Sequence, residues 1–268
     1  MPDREVRNRL ITMEDRVWHI RNDLTKVRSK DVLNGIIKDD KANYQVAESE
    51  LAEDLQLLDD AIALYIEPLQ EAYRRIDEWK GKASLQASIA MAESILNYVL
   101  LARHSVLLGY YPEARDLLRG CYERTTRCYL FFIDEGQANK FLAGKRISQV
   151  EVDRKLNALE SQGQGKTLYE ELRSYYGAIS QDIHPNLHSF QARYGDVNLK
   201  EEVGLKPILG GIMSPALGRV VILRVLQCVL SALKIIGAIF REQSGAWERE
   251  YKRIVTRQKE ILSKLSSA

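Results

Sequence analysis

The sequence predicts an all-α fold, a helical bundle built around a central antiparallel helix hairpin. Between Leu51 and Trp79, apolar residues recur at alternating steps of four and three, which is typical of a helix that packs along one seam. Residues 84–134 read as two apolar helices joined by a Gly-Tyr-Tyr-Pro turn at Gly109. Only 6 of the 268 residues are proline, and the glycines cluster, so long helices are favoured over many strands.

The first element is a charged amphipathic segment over residues 4–28. Gly35 follows it as a predicted helix break. The apolar positions of the segment have helical spacing: Leu10, Met13, Val17, Ile20, Leu24 and Val27.

The second element is the heptad seam that ends at Trp79. Pro68 lies inside it and is expected to kink or split the helix, and Gly81 is a fair C-terminal cap. The seam favours antiparallel packing within the bundle, and a homodimer is the alternative. The homodimer would form through Leu51, Leu55, Leu58, Ile62, Tyr65 and Leu69.

The hairpin is the third element. Its first arm is nearly all apolar, and its second arm begins with Pro112 at the first helical position. An apolar stripe runs along the second arm, and polar residues lie on the opposite side: Arg115, Arg119, Glu123 and Arg127. Two such arms need further helices to cover them.

The rest of the chain alternates helices with irregular stretches. An amphipathic piece covers residues 149–159, a helix is expected over Tyr169–Ser180, and Pro185 interrupts the chain after His184. A short irregular or β-hairpin-like insertion follows at residues 194–211. The last two helices are expected over residues 216–241 and 247–265.

The helix at residues 216–241 is apolar enough to resemble a membrane span. Its charged residues fall on one arc, and its longest uncharged run is shorter than the roughly 20 residues that a bilayer requires. We therefore expect a core helix with one polar face, and no membrane association.

Cysteine usage and the N-terminus indicate a cytoplasmic protein. Cys121, Cys128 and Cys228 form no CxxC pair, and they are expected to be small core residues in a reducing compartment. The first residues are charged and lack an apolar run, so no secretory signal is expected. We predict N-terminal helices over residues 1–82 and a core bundle over 83–268, with one continuous domain as the alternative.

The charge distribution is uneven. A net charge of +2 does not mark a nucleic-acid binder. Acids dominate residues 48–78, whereas the first and last thirty residues lean basic. Solvated helix faces are the favoured interpretation, and the alternative is that the basic ends approach an acidic partner or a phosphate backbone.

One candidate site combines the polar side of the hairpin with the later helix. The predicted catalytic pair is Glu123 and His184, with His184 as acid or base. The predicted binding residues, whose arginines suit a phosphate group, are Arg115, Arg119, Arg173, Tyr176, Ser180 and His188. A structural network of ion pairs and caps is the favoured alternative. Pro185 separates His184 from His188, so no metal is predicted, nor any cofactor.

Two short motifs resemble a group of bacterial helical domains. These domains carry an arginine and a glutamate four residues apart, followed later by S-x3-H-P. Here Arg119–Glu123 and Ser180–His184–Pro185 match, within residues 85–190. Such domains are distantly similar to the HEPN superfamily, many members of which cut RNA or serve in toxin and antiphage systems. That superfamily's nuclease motif places an arginine four to six residues before a histidine, and His104, His184 and His188 lack one.

Two functions follow from these observations. The first is a cytoplasmic helical bundle that binds a protein or RNA partner without chemistry of its own, HEPN-like but without the complete nuclease motif. The alternative is a HEPN-like ribonuclease or nucleotide-acting enzyme of a toxin or antiphage type, which acts through Arg119, Glu123 and His184.

Overall fold

A computed structural model describes residues 29–161, 169–170, 172–173, 211, 213–240 and 245–266. This part of the chain folds into α-helices with one short 3-10 helix and no strand, which confirms the predicted all-α class. The α-helices are α1 (Ser29–Glu50), α2 (Ala52–Arg74), α3 (Ala83–Leu107), α4 (Tyr111–Ile133), α5 (Glu135–Leu142), α6 (Gln149–Ser161), α7 (Pro215–Phe240) and α8 (Gly245–Ser266). The 3-10 helix is Ile76–Trp79.

Two predicted helix boundaries are wrong. Helix α1 runs through Gly35 without a break, because a glycine inside a helix costs only about 1 kcal/mol and neighbouring turns compensate for it. Helix α2 ends at Arg74, so the last turn of the predicted seam becomes the 3-10 helix. The predicted segment at residues 4–28 and the insertion at 194–210 lie outside the described residues.

The α2 seam packs inside the chain. Its six residues from Leu51 to Leu69 are between 0 and 6 % exposed, and they share one hydrophobic core with α3, α4 and α7. Pro68 lies within a continuous α2 and does not split it. A homodimer through these six side chains would therefore require α2 to leave its own core.

Helices α3 and α4 run antiparallel along their length. The Ser88 hydroxyl donates to the Cys128 carbonyl oxygen at 3.2 Å, and the Arg124 Nε donates to the Ser94 hydroxyl at 2.6 Å. The chain reverses at Gly109, whose φ of +78° suits the left-handed conformation that ends a helix. This packing fixes which side of α4 remains for other elements.

Helix α7 is a core helix that packs against α2, α3 and α4. By length and composition alone, α3 and α7 are the described helices that could cross a membrane. The most apolar stretch of α7 is 72 % buried inside the bundle, whereas that of α3 is 39 % buried.

The acidic residues of α2 meet arginines from three other helices. Asp59 pairs with Arg103 of α3 at 2.5 Å, and Asp54 pairs with Arg219 of α7 at 2.8 Å. Asp60 pairs with Arg253 of α8 at 2.5 Å. Part of the basic C-terminal region thus contacts acids of the same chain.

Candidate functional site

The predicted polar side of the hairpin forms a continuous row on α4. We call Arg115, Arg119, Glu123 and Arg127 the α4 ridge, since each lies one turn from the next. Arg119 Nε donates to one carboxylate oxygen of Glu123 at 3.1 Å. Arg127 approaches the other oxygen at 3.5 Å and also donates to the Glu123 carbonyl oxygen. Glu123 is therefore held between two guanidinium groups.

Arg115 differs from the other arginines of the ridge. Its Nε is buried and has no hydrogen-bond partner among the described residues. A buried donor without a partner costs about 1–3 kcal/mol, and more when the group is charged. The row thus combines a half-exposed cation at Arg119 with an unsatisfied donor at Arg115. Both features suit an anionic group.

The described part of the predicted later helix packs beside the ridge. Tyr169 is buried, its hydroxyl donates to Asp153 of α6 at 3.1 Å, and it is also hydrogen-bonded to Tyr122 of α4. One turn further on, Arg173 donates to the Asn157 side chain of α6 at 3.2 Å. Because Tyr122 immediately precedes Glu123, Tyr169 lies against the flank of α4 next to the ridge.

A polar network that the sequence did not reveal joins α4, α6 and Tyr169. The Gln149 amide donates to the Thr126 hydroxyl and to Asp153, at 3.0 Å each. Burial and then the nearby Asp153 raise the pKa of Tyr169 well above its usual value, so the phenol stays protonated and donates. The four-residue spacing of Gln149 and Asp153 was a signal that they share a face, but their partners come from distant parts of the chain.

Two described stretches of the later chain contact α4 or the turn before it. Tyr169 is hydrogen-bonded to Tyr122 of α4, and Gly211 packs against the carbonyl of Leu108. Close by, the Tyr111 hydroxyl donates to the Ser214 carbonyl oxygen at 3.0 Å. Along α4, Arg115 and Arg119 of the ridge lie between Tyr111 and Tyr122.

Four of the predicted site residues, Tyr176, Ser180, His184 and His188, lie outside the described residues. The structure brings together Arg119 and Glu123 directly, and it places Arg173 against Asn157 of α6, one turn from Tyr169, which contacts Tyr122 of α4. The meeting of Glu123 and His184 stays a prediction.

The described residues contain no group of three His, Cys, Asp or Glu side chains that fits a metal ion. All three cysteines are free and buried, as the sequence predicted. Burial raises the pKa of Cys128 to about 12, and this thiol therefore remains protonated.

Comparisons of this chain with protein-family models, with curated proteins and with solved structures found no match.

Proposed function

We propose that this protein is a non-catalytic helical bundle that binds an acidic segment of a protein partner at the α4 ridge. The observation that carries this proposal is the buried Nε of Arg115, which has no partner in the described structure and stands one turn from the half-exposed Arg119. An incoming carboxylate would accept from the half-exposed Arg119, and a rotation of the Arg115 side chain would bring its unsatisfied Nε–H to the same group. Arginine is also the charged residue most enriched in protein interfaces.

The charge of the site supports a protein partner over RNA. The ridge carries three arginines and one glutamate, and the whole chain has a net charge of only +2. A nucleic-acid surface commonly gathers many more cations on one face. We therefore treat RNA binding as an outcome of the test and not as the proposal.

The contacts of Glu123 support binding over catalysis. Both of its carboxylate oxygens face arginines, at 3.1 and 3.5 Å, so the carboxylate is held in ion pairs within its own helix. A general base needs a lone pair aimed at the proton it removes. The HEPN-like enzyme acting through Arg119, Glu123 and His184 stays a prediction, with no contact among the described residues that favours it.

A binding assay tests the proposal with two labelled probes of similar charge. Fluorescence anisotropy would compare a short poly-glutamate peptide with a mixed-sequence single-stranded RNA, for the wild type, Arg115→Gln and a control, Arg74→Gln. Arg74 is 69 % exposed on α2 and pairs only with its neighbour Glu71 in the described structure. We expect the peptide to bind the wild type and the control equally, and Arg115→Gln at least about tenfold more weakly, since loss of a charged hydrogen bond is worth about 1.5–3 kcal/mol.

Three results would overturn the proposal: preferential binding of the RNA, equal peptide binding by all three proteins, or no binding of either probe. The same RNA, incubated with the wild type and with His184→Ala, addresses catalysis. Cleavage that disappears in a folded His184→Ala protein would favour the enzyme over the binding protein.

The finer organisation of the bundle belongs to the same proposal. We infer that the α3–α4 hairpin is its centre, since both arms have buried residues along most of their length. We infer also, from the sequence alone, a short irregular or β-hairpin-like insertion at residues 194–211, of which the structure describes only Gly211. The three free, buried thiols support a reducing, cytoplasmic setting.

A further inference from the structure

A second polar cluster lies where α1, the α3–α4 turn and Gly211 meet, away from the middle of the ridge. Asn43 is 0 % exposed, and its amide nitrogen donates to the carbonyl oxygens of Leu108 and Gly211, each at 3.0 Å. Asp40, one turn earlier on α1, accepts a hydrogen bond from the Tyr110 hydroxyl at 3.3 Å. We call these five residues the α1 joint.

Two oxygens of the α1 joint are unsatisfied. Asn43 Oδ1 and Asp40 Oδ1 are both buried, and neither has a hydrogen-bond partner among the described residues. The amide orientation is fixed, because Asn43 Nδ2 already donates to two carbonyls. Buried polar groups are nearly always paired, so two unpaired acceptors three residues apart on one helix face indicate a shared ligand.

Asp40 also lacks a cationic side chain beside it among the residues that the structure describes. Within the described part of the chain, no lysine or arginine forms an ion pair with it. The Tyr110 hydroxyl donates to the other oxygen of Asp40 at 3.3 Å and supplies a hydrogen bond but no positive charge. A bound water could donate to both free oxygens but would leave the charge, whereas a cation would meet both needs.

We propose that the α1 joint binds a hard cation through Asp40 Oδ1 and Asn43 Oδ1, with the neighbouring main-chain carbonyls and water completing its shell. Carboxylate, amide and main-chain oxygens are the ligand types of calcium, and the single carboxylate predicts weak affinity. The cation would stabilise the contact of α1 with Gly211 and with the turn between α3 and α4. This proposal is independent of the function proposed for the ridge.

Thermal unfolding at constant ionic strength provides the first test. Chlorides of Ca²⁺, Mg²⁺, K⁺ and Na⁺ would be compared with choline chloride. The proteins are the wild type, Asp40→Asn and a control on the same helix, the exposed Glu50→Gln. A cation that binds only the folded protein raises its Tm in a saturable way. We expect such a rise in the wild type and the control, at a cation concentration at least roughly tenfold lower than in Asp40→Asn.

The proposal is overturned if no cation raises the Tm relative to choline, since the joint then holds an ordered water only. An equal rise in Asp40→Asn also overturns it, because the cation would then bind elsewhere.

Terbium luminescence gives a second readout that does not depend on stability. Terbium replaces calcium at oxygen sites, and a nearby phenol sensitises its emission. We expect emission from the wild type that millimolar calcium abolishes and that Tyr110→Phe weakens without loss of folding. Calcium-sensitive emission that is unchanged in both Tyr110→Phe and Asp40→Asn would overturn the proposal.

Discussion

At the residue scale, Gly120 has a role that no pattern in the sequence reveals. A glycine in the middle of α4 appears only as a weak helix former. In the structure, a Cβ at this position would lie 2.2 Å from the Tyr98 ring of α3. Arg124 stacks over the same ring at 3.8 Å and donates to the Tyr98 hydroxyl at 2.9 Å. Gly120 therefore permits the close approach of the two helices.

Gly120→Ala is expected to destabilise the protein despite the better helix propensity of alanine. The ring of Tyr98 must move away from its stacked arginine, and such overpacking costs typically about 1–3 kcal/mol. Urea unfolding would measure the change in the free energy of unfolding. The matched control is Gly120→Ala in a Tyr98→Leu protein. Without the tyrosine ring the added methyl group has room, so Gly120→Ala should then be neutral or stabilising. A similar loss in both backgrounds would contradict the proposed contact.

The Arg119–Glu123 pair is the residue-scale feature that the sequence predicted best. A separation of four residues on one helix already implies contact, and the distance of 3.1 Å agrees. By contrast, whether the buried polar atoms of Arg115, Asp40 and Asn43 find partners depends on distant segments of the same chain that pack around them. Local spacing therefore predicts pairs within a helix, but not which polar atoms are left without a partner.

At the element scale, the consequence of Pro68 depends on another helix. Proline has no N–H, so the carbonyl of Leu64, one turn earlier, loses its usual donor within α2. The indole N–H of Trp247 in α8 donates to that carbonyl at 3.2 Å. The ring of Trp247 also packs close to Gly237 of α7. Helix α8 therefore packs at the point where the backbone hydrogen bonding of α2 is interrupted. The sequence predicted a kink or a split at Pro68, and the continuous helix excludes the split. The Trp247 donor could not be foreseen, because it comes from a helix far along the chain.

A double-mutant cycle tests this coupling. Trp247→Phe should cost more than about 1 kcal/mol, because it leaves the buried Leu64 carbonyl without a donor. In Pro68→Ala, the new backbone N–H can bond that carbonyl, so Trp247→Phe should cost measurably less. Free energies of unfolding from urea denaturation give the coupling energy. Equal costs of Trp247→Phe in the two backgrounds would show that the indole bond does not replace the missing one.

For the whole molecule, composition and periodicity were enough to predict an all-α chain with α2 and α7 in the core. They could not show which charged side chains form ion pairs between the helices. The acids of α2 looked like a solvated face in the sequence, yet Arg103, Arg219 and Arg253 reach them from three helices that are distant along the chain. Such long-range pairs follow from packing, and they explain why the uneven charge distribution does not by itself indicate an external partner.

The pairs of α2 should differ sharply in their importance, because their burial differs. The side chain of Asp54 is 5 % exposed beside Arg219, whereas that of Glu53 is 90 % exposed and 3.7 Å from Arg257. Arg219→Gln leaves a buried carboxylate without its cation and should lower the free energy of unfolding by roughly 1–3 kcal/mol. Arg257→Gln removes a solvated pair and should change it by less than about 1 kcal/mol. Urea denaturation at low and high salt would separate the two, since only the exposed pair is strongly screened. Equal losses in both variants would mean that net charge, and not the buried contact between α2 and α7, governs the stability of the bundle.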